Sequence, residues 1–171
     1  MSGADEVQLV PELIPEPLWR LSAKRALARN VWNAIRARAL KEAADTCATC
    51  GTVVPGGRYM VCDEMWSYDE DLGVATLVGF RILCPACDKA RHFGLAGLID
   101  RAELALDQLA AVNGIDLAAA RRLQRNAGRD WVRRSALAWT IKVDPALLEA
   151  WPALEVLVGA RGVPGEGRER L

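Results

Sequence analysis

The chain has 171 residues, with 22 Lys+Arg balanced by 22 Asp+Glu, five cysteines and one histidine, His92. A single imidazole excludes three-histidine zinc sites, the H-E-x-x-H metalloprotease helix and any proton relay through two histidines, so sulfur or carboxylate must supply most ligands of any metal. Hydrophobic residues at 51 % and charged residues at 26 % give a globular composition with enough apolar material for a core.

No apolar run approaches the roughly 18 residues of a bilayer span, and the start Ser2-Gly3-Ala4-Asp5-Glu6 lacks the basic-then-apolar order of a signal peptide. The expectation is a cytoplasmic protein without a membrane partner. In that reducing compartment, paired cysteines point to metal or redox chemistry and away from disulfides.

Pro11, Pro15 and Pro17 predict an extended arm over residues 1–17 that lies on another part of the fold. From Leu18 to Ala44 there is no Gly or Pro, and Leu27, Val31 and Ile35 recur at helical spacing beside Trp32, which predicts one long helix. Arg20, Lys24, Arg25, Arg29, Arg36, Arg38 and Lys41 make it strongly basic, so the zero net charge conceals a local excess.

From Asp45 to Cys87 the character changes to cysteines, glycines and short β-prone runs. Val53-Val54 and Tyr59-Met60-Val61 read as short strands around Pro55-Gly56-Gly57, and Ala75 to Leu83 as a longer one. Asp63, Glu64, Trp66, Tyr68, Asp69, Glu70 and Asp71 read as an acidic, aromatic loop between them. Pro85 opens a helix running to about Gly94. Leu98 to Val112 is a further helix with Leu104, Leu106, Leu109 and Ala110 toward the core, stopped by Asn113-Gly114. Asp116 caps another that reaches about Leu137. Trp139 to Val143 is a short strand, Pro145 opens a brief helix, and residues 159–171, rich in Gly, Arg and Glu, read as a disordered tail. The tryptophans, spread over the helical parts, read as core anchors.

Cys47-x-x-Cys50 and Cys84-x-x-Cys87 bracket the strand-like stretch. Either pair alone could be a redox dithiol. Together they suit four thiolates converging tetrahedrally on a structural Zn²⁺, which would hold a segment too poor in apolar residues to fold alone. Cys62 is left over: a small buried hydrophobe, or one ligand of a second, more open metal site with Asp88 and His92, which stand at i, i+4 and face one way. That second site would suit Mg²⁺, Mn²⁺ or Zn²⁺.

Across these motifs the sequence resembles the HNH endonucleases of the zinc-ribbon, ββα-metal type found in bacteria and phages. The resemblance rests on Cys47, Cys50, Cys62, Asp63, Glu64, Trp66, Tyr68, Asp69, Leu77, Val78, Gly79, Leu83, Cys84, Pro85, Cys87, Asp88, Arg91, His92 and Gly94, and extends over roughly residues 9–150. It implies an α+β fold: a mainly helical domain, 18–150, with an inserted zinc-ribbon or ββα-metal module at about 45–94 and helical flanks at 18–44 and 97–150. In that family a histidine at the first motif position takes the proton from water, and later residues hold the catalytic metal. Here Asp63 stands at the base position and Asp88 at the second, with only His92 kept. A carboxylate is a poorer proton acceptor than an imidazole, its reach is shorter, and losing a positioned base costs about 10²–10⁴ in rate.

Three readings follow from the resemblance. The leading one is an HNH-like zinc protein that binds nucleic acid with weakened or lost phosphodiesterase activity. The second is a working metal-dependent DNA endonuclease using Asp63, Asp88 and His92, with Asp63 itself drawn into the metal shell. The third is a structural or protein-interaction zinc ribbon. DNA is the expected partner because Arg121, Arg125, Arg129 and Arg133 repeat at i, i+4, a basic stripe about 18 Å long, with Lys89 and Arg91 beside the motif.

Overall fold

In the computed structural model, residues 8–94 and 102–165 are described. They form an α+β fold whose chain divides into two compact bodies, and it passes between them repeatedly: the described residues within 8–13, 43–61, 82–94 and 102–131 form one, and those within 14–42, 62–81 and 132–165 the other.

The first body carries the cysteines. Its helices are α3 (Pro85–Arg91), α4 (Ala102–Asn113) and most of α5 (Leu117–Ser135). Pro85 sits at the first turn of α3, where its missing N–H costs nothing. Asn113-Gly114 ends α4 through a left-handed Gly114, φ 62°. Asp116 then opens α5, its Oδ1 accepting from the Ala119 N–H at 2.6 Å. The core here is Leu9, Met60, Leu83, Ala90, Ala105, Leu106, Leu109 and Ala120. Leu104, expected inside, is 65 % exposed, because the buried face of α4 runs through Ala105, Leu106, Leu109 and Ala110.

The proline-rich arm does lie on this body. Asn113 clamps it from both sides, accepting from the Leu9 N–H at 2.9 Å and donating to the Leu9 carbonyl at 2.8 Å. Three residues on, the Glu12 N–H bonds to the Arg91 carbonyl at 2.8 Å.

The second body is built on a sheet of order β1-β2-β3-β4, with β1 (Val61–Asp69), β2 (Val74–Leu83), β3 (Trp139–Val143) and β4 (Arg161–Gly162). Val61 of β1 and Ile82 and Leu83 of β2 belong to the cysteine body. β2 and β3 run parallel, Val74 opposite Thr140 and Leu77 opposite Val143, and β4 returns antiparallel on Trp139 and Thr140. Trp32, Ile35, Ala75, Leu77, Trp139, Ile141, Leu154 and Leu157 are its core. Trp32 meets Phe80, and Trp139 meets Tyr68, both edge to face. After β3, Asp144 caps α6 (Pro145–Ala150), its side chain accepting from the Ala146 and Leu147 N–H groups.

Three expectations change in this body. The acidic loop is strand β1: its residues alternate, with Cys62, Glu64, Trp66 and Tyr68 toward one face and Asp63, Met65, Ser67 and Asp69 toward the other. The long helix from Leu18 is broken into a 3₁₀ turn (Glu16–Leu18), α1 (Ala23–Ala26) and α2 (Arg29–Glu42), with Leu27 extended at φ −85°, ψ 149°. Glu64 of β1 accepts the Lys24 N–H at 3.0 Å, so a distant carboxylate caps a new helix start where local propensity favoured continuation. The tail, expected to be disordered from residue 159, supplies β4 instead. Gly162 is required there, because a Cβ would fall 2.3 Å from the Pro17 carbonyl oxygen. Residues 166–171, and the start of the helix expected from Leu98, lie outside the described residues.

No helix among the described residues is long and apolar enough to cross a membrane.

Candidate metal centre

The first knuckle is shaped by the backbone. Gly51, at φ 70°, lets its N–H reach back to the Cys47 carbonyl at 3.0 Å, while the Cys47 N–H bonds to the Thr52 carbonyl at 2.9 Å. Thr46 and Val53 close the loop with an isolated β-bridge. The second knuckle sits where β2 becomes α3: Cys84 caps the helix and Cys87 lies in its first turn. One backbone bond, from the Ala48 N–H to the Ile82 carbonyl at 2.8 Å, lashes the two knuckles together.

The result is four sulfurs within 4.8 Å of one another, from Cys47, Cys50, Cys84 and Cys87. Cys50 and Cys84 are 3.7 Å apart at Sγ. A disulfide needs about 2.05 Å, and all five cysteines are free thiols. Four sulfurs placed tetrahedrally about 2.3 Å from a central zinc would stand about 3.8 Å apart. The donor set and its spacing therefore fit one tetrahedral metal ion and no disulfide.

The surroundings differ around the cluster. Burial opposes ionisation of Cys50, but hydrogen bonds from the Thr52 side chain and backbone, then from Cys47 and Cys87, outweigh it and bring the thiol down to about 7. Burial pushes the Cys84 and Cys87 thiols up. A cation among them would reverse that cost, since bound thiols are held as thiolates. Gln108 of α4 donates its Nε2–H to the Cys87 sulfur at 3.3 Å, the kind of outer contact that orients a metal ligand. Sequence reading missed Gln108: nothing marks one polar residue on a helix as a sulfur's partner.

Asp88 and His92 come together one turn apart on and just after α3, a carboxylate oxygen and a ring nitrogen within 4.8 Å. His92 Nδ1 is 3.0 Å from the Glu12 carbonyl oxygen. A carbonyl only accepts, so Nδ1 carries the proton in this contact. The arm thus orients the one histidine.

The other predicted site residues fare differently. Asp63, in the sheet body, is 6 % exposed, and its Oδ2 accepts from both Nε (2.9 Å) and Nη2 (2.8 Å) of Arg81 on β2. A carboxylate gripped this way is matched by its own counter-charge. Cys62 is outside the four-sulfur cluster; burial and the neighbouring Glu64 and Asp63 charges push its thiol up to about 11, with Arg36 partly opposing. Cys62 and Asp63, consecutive on β1, point to opposite faces of the strand.

Arg91, expected near phosphate, is 9 % exposed and clamps the arm, paired with the Glu12 carboxylate and donating to the Val10 carbonyl at 3.0 Å. Burial brings it down to about 10. Lys89 on the same helix is half-buried. Of the stripe, Arg121, Arg125 and Arg129 are exposed on α5 in the cysteine body. Arg133, in the sheet body, is instead taken by Glu70 at 2.6 and 2.9 Å, with Arg134 on the same carboxylate.

No protein-family model, no curated protein and no solved structure matches the chain.

Proposed function

We propose that this chain is a zinc-binding protein of the HNH-like type that binds nucleic acid and has weak or no phosphodiesterase activity. The zinc is assigned to Cys47, Cys50, Cys84 and Cys87, because four thiolates at tetrahedral spacing suit that ion above the harder divalent cations. Nucleic-acid binding is supported by Arg121, Arg125 and Arg129, three exposed guanidiniums about 6 Å apart along one helix face.

The observation that carries the loss of activity is the Arg81 grip on Asp63. In the family that the sequence resembles, this position belongs to the histidine that takes a proton from water. A carboxylate committed to two N–H donors is a poor substitute, and the leading expectation is a binding protein.

An active nuclease is the second reading, favoured by the proximity of Asp88 and His92, two ligand-type side chains one helical turn apart. A divalent ion held by them would neutralise charge on a phosphate. Asp88 would then bind and His92 would orient, its ring held by the Glu12 carbonyl. Incubation of the purified protein with supercoiled plasmid and Mg²⁺, Mn²⁺ or Zn²⁺ separates the readings. The binding-protein reading expects retained DNA with no nicking. Nicking that His92→Ala abolishes overturns it.

A further inference from the structure

Within the cysteine body, a cleft of about 470 Å³ opens beside α4 and the first half of α5. Its volume lies in the range of small-molecule sites, about 300–1,000 Å³. Phe93 and Leu106 give it apolar wall, Gln124 and Glu103 place an amide and a carboxylate within, and Arg121 and Arg125 line it from α5.

We propose that this cleft takes an unpaired nucleotide of DNA or RNA, its phosphate on Arg121 and Arg125 and its base against Phe93 and Leu106. The inference rests on the nucleic-acid reading above and goes further by naming the form of nucleic acid. Three features carry it. Two guanidiniums one helical turn apart match a phosphate, and Arg129, exposed one turn further along the same row, matches the next one on the strand. An aromatic side chain beside an aliphatic one matches a base's flat apolar face, which stacking proteins exploit without sequence preference. Gln124 and Glu103 match a base's polar edge, and the carboxylate disfavours a bare polyanion that brings no donor of its own. A base locked in a duplex cannot enter such a cleft without leaving its stack, so an unpaired one enters at lower cost.

The test is fluorescence anisotropy on the full chain at low salt, with labelled oligonucleotides of about 12 nucleotides as single-stranded DNA, single-stranded RNA and blunt duplex DNA. At least one single strand is expected to bind more tightly than the duplex. Phe93→Leu should weaken single-strand binding by about 5- to 10-fold and leave duplex binding within about two-fold, while Phe93→Tyr restores it. Arg125→Glu should weaken every probe. Metal content of each variant reports folding, and if Phe93→Leu loses its metal, Gln124→Ala carries the same comparison. Single strands bound no more tightly than duplex, or unmoved by the cleft substitutions, overturn the cleft assignment while the nucleic-acid reading stands. Failure of all three probes to bind overturns both.

Discussion

The cysteine body buries Leu9, Met60, Ile82, Leu83, Leu106 and Leu109 together with five alanines, Ala90, Ala105, Ala110, Ala120 and Ala127, whereas the sheet body buries two tryptophans, Trp32 and Trp139, with Ile35, Leu77, Ile141, Leu154 and Leu157. At about 25 cal/mol per Å² of apolar surface removed from water, a buried alanine contributes a small fraction of what a tryptophan or leucine does. The sheet body is therefore held by apolar packing and edge-to-face rings. Among its described residues the cysteine body buries no such rings; it sets its four thiols and the hydrogen bonds to the arm beside a core of leucines and alanines. The difference teaches where a metal would matter: held by the four sulfurs, it would add to a core with fewer large rings than the sheet body has.

The largest effect should come from removing a sulfur. Cys87→Ser, or strong chelation, forfeits a metal contribution on the order of 10 kcal/mol. Elemental analysis should show one zinc lost per chain, and hydrogen exchange should show protection vanishing over residues 46–53 and 84–91 while β3 keeps its own. Undiminished protection around the cysteines after chelation would break the contrast between the bodies.

Gly162→Ala strikes the other body. Its Cβ would meet the Pro17 carbonyl oxygen at 2.3 Å, so β4 must shift, at about 2–3 kcal/mol. Denaturant unfolding followed by tryptophan fluorescence should move to a lower midpoint with metal content unchanged. A variant as stable as the parent would show that β4 contributes nothing.

A finer probe of the centre is Gln108→Leu, which removes the N–H donor to the Cys87 sulfur at similar volume. Metal affinity, measured by competition with a chelator, should fall about 10-fold.

The smallest effect is electrostatic. Hydrogen bonds from Arg133 hold the Glu70 carboxyl down at about 2, against the cost of its partial burial and with Arg134 assisting. A carboxylate whose proton affinity is lower folded than unfolded adds stability above its ordinary pH range near 4.5, and that stability is lost as pH falls toward about 2. Because the Arg133 side chain is 54 % exposed, solvent screening limits the contribution to about 0.5–1 kcal/mol. Glu70→Gln should lower stability by that amount at pH 7 and flatten the acid limb of the stability curve; an unchanged limb assigns it to other carboxylates.

Punctuation was readable in the sequence because it acts locally. Asp116 and Asp144 cap the helices that follow, Gly114 ends one, Pro85 opens another, and the two C-x-x-C pairs converge. What escaped reading depends on partners far along the chain. β1 hides because Asp63 and Glu64 are poor strand residues until Arg81 and the Lys24 N–H take up their charges. The new helix start at Ala23 has no Gly or Pro to announce it, since the carboxylate that caps it is Glu64, 40 residues away from Lys24. Arg91 looked like a phosphate contact because sequence does not show that Glu12 comes to meet it. The four thiols of the candidate site were thus legible, and the Arg81 grip on Asp63 and the carbonyl behind His92 were not.

The arm carries a consequence for the order of events in folding. Its most distant partners are Asn113, 104 residues beyond Leu9, and Ser135, whose hydroxyl receives the Glu16 N–H 119 residues away. On a ribosome, those two emerge only after both cysteine knuckles are outside, so the knuckles can close before the whole arm is docked. Loop closures this long are slow to form, which makes docking of the arm a late step. Since the Glu12 carbonyl meets Nδ1 of His92 and its carboxylate holds Arg91, the one imidazole of the chain takes its orientation from a residue 80 positions earlier, and cutting the arm away would release it.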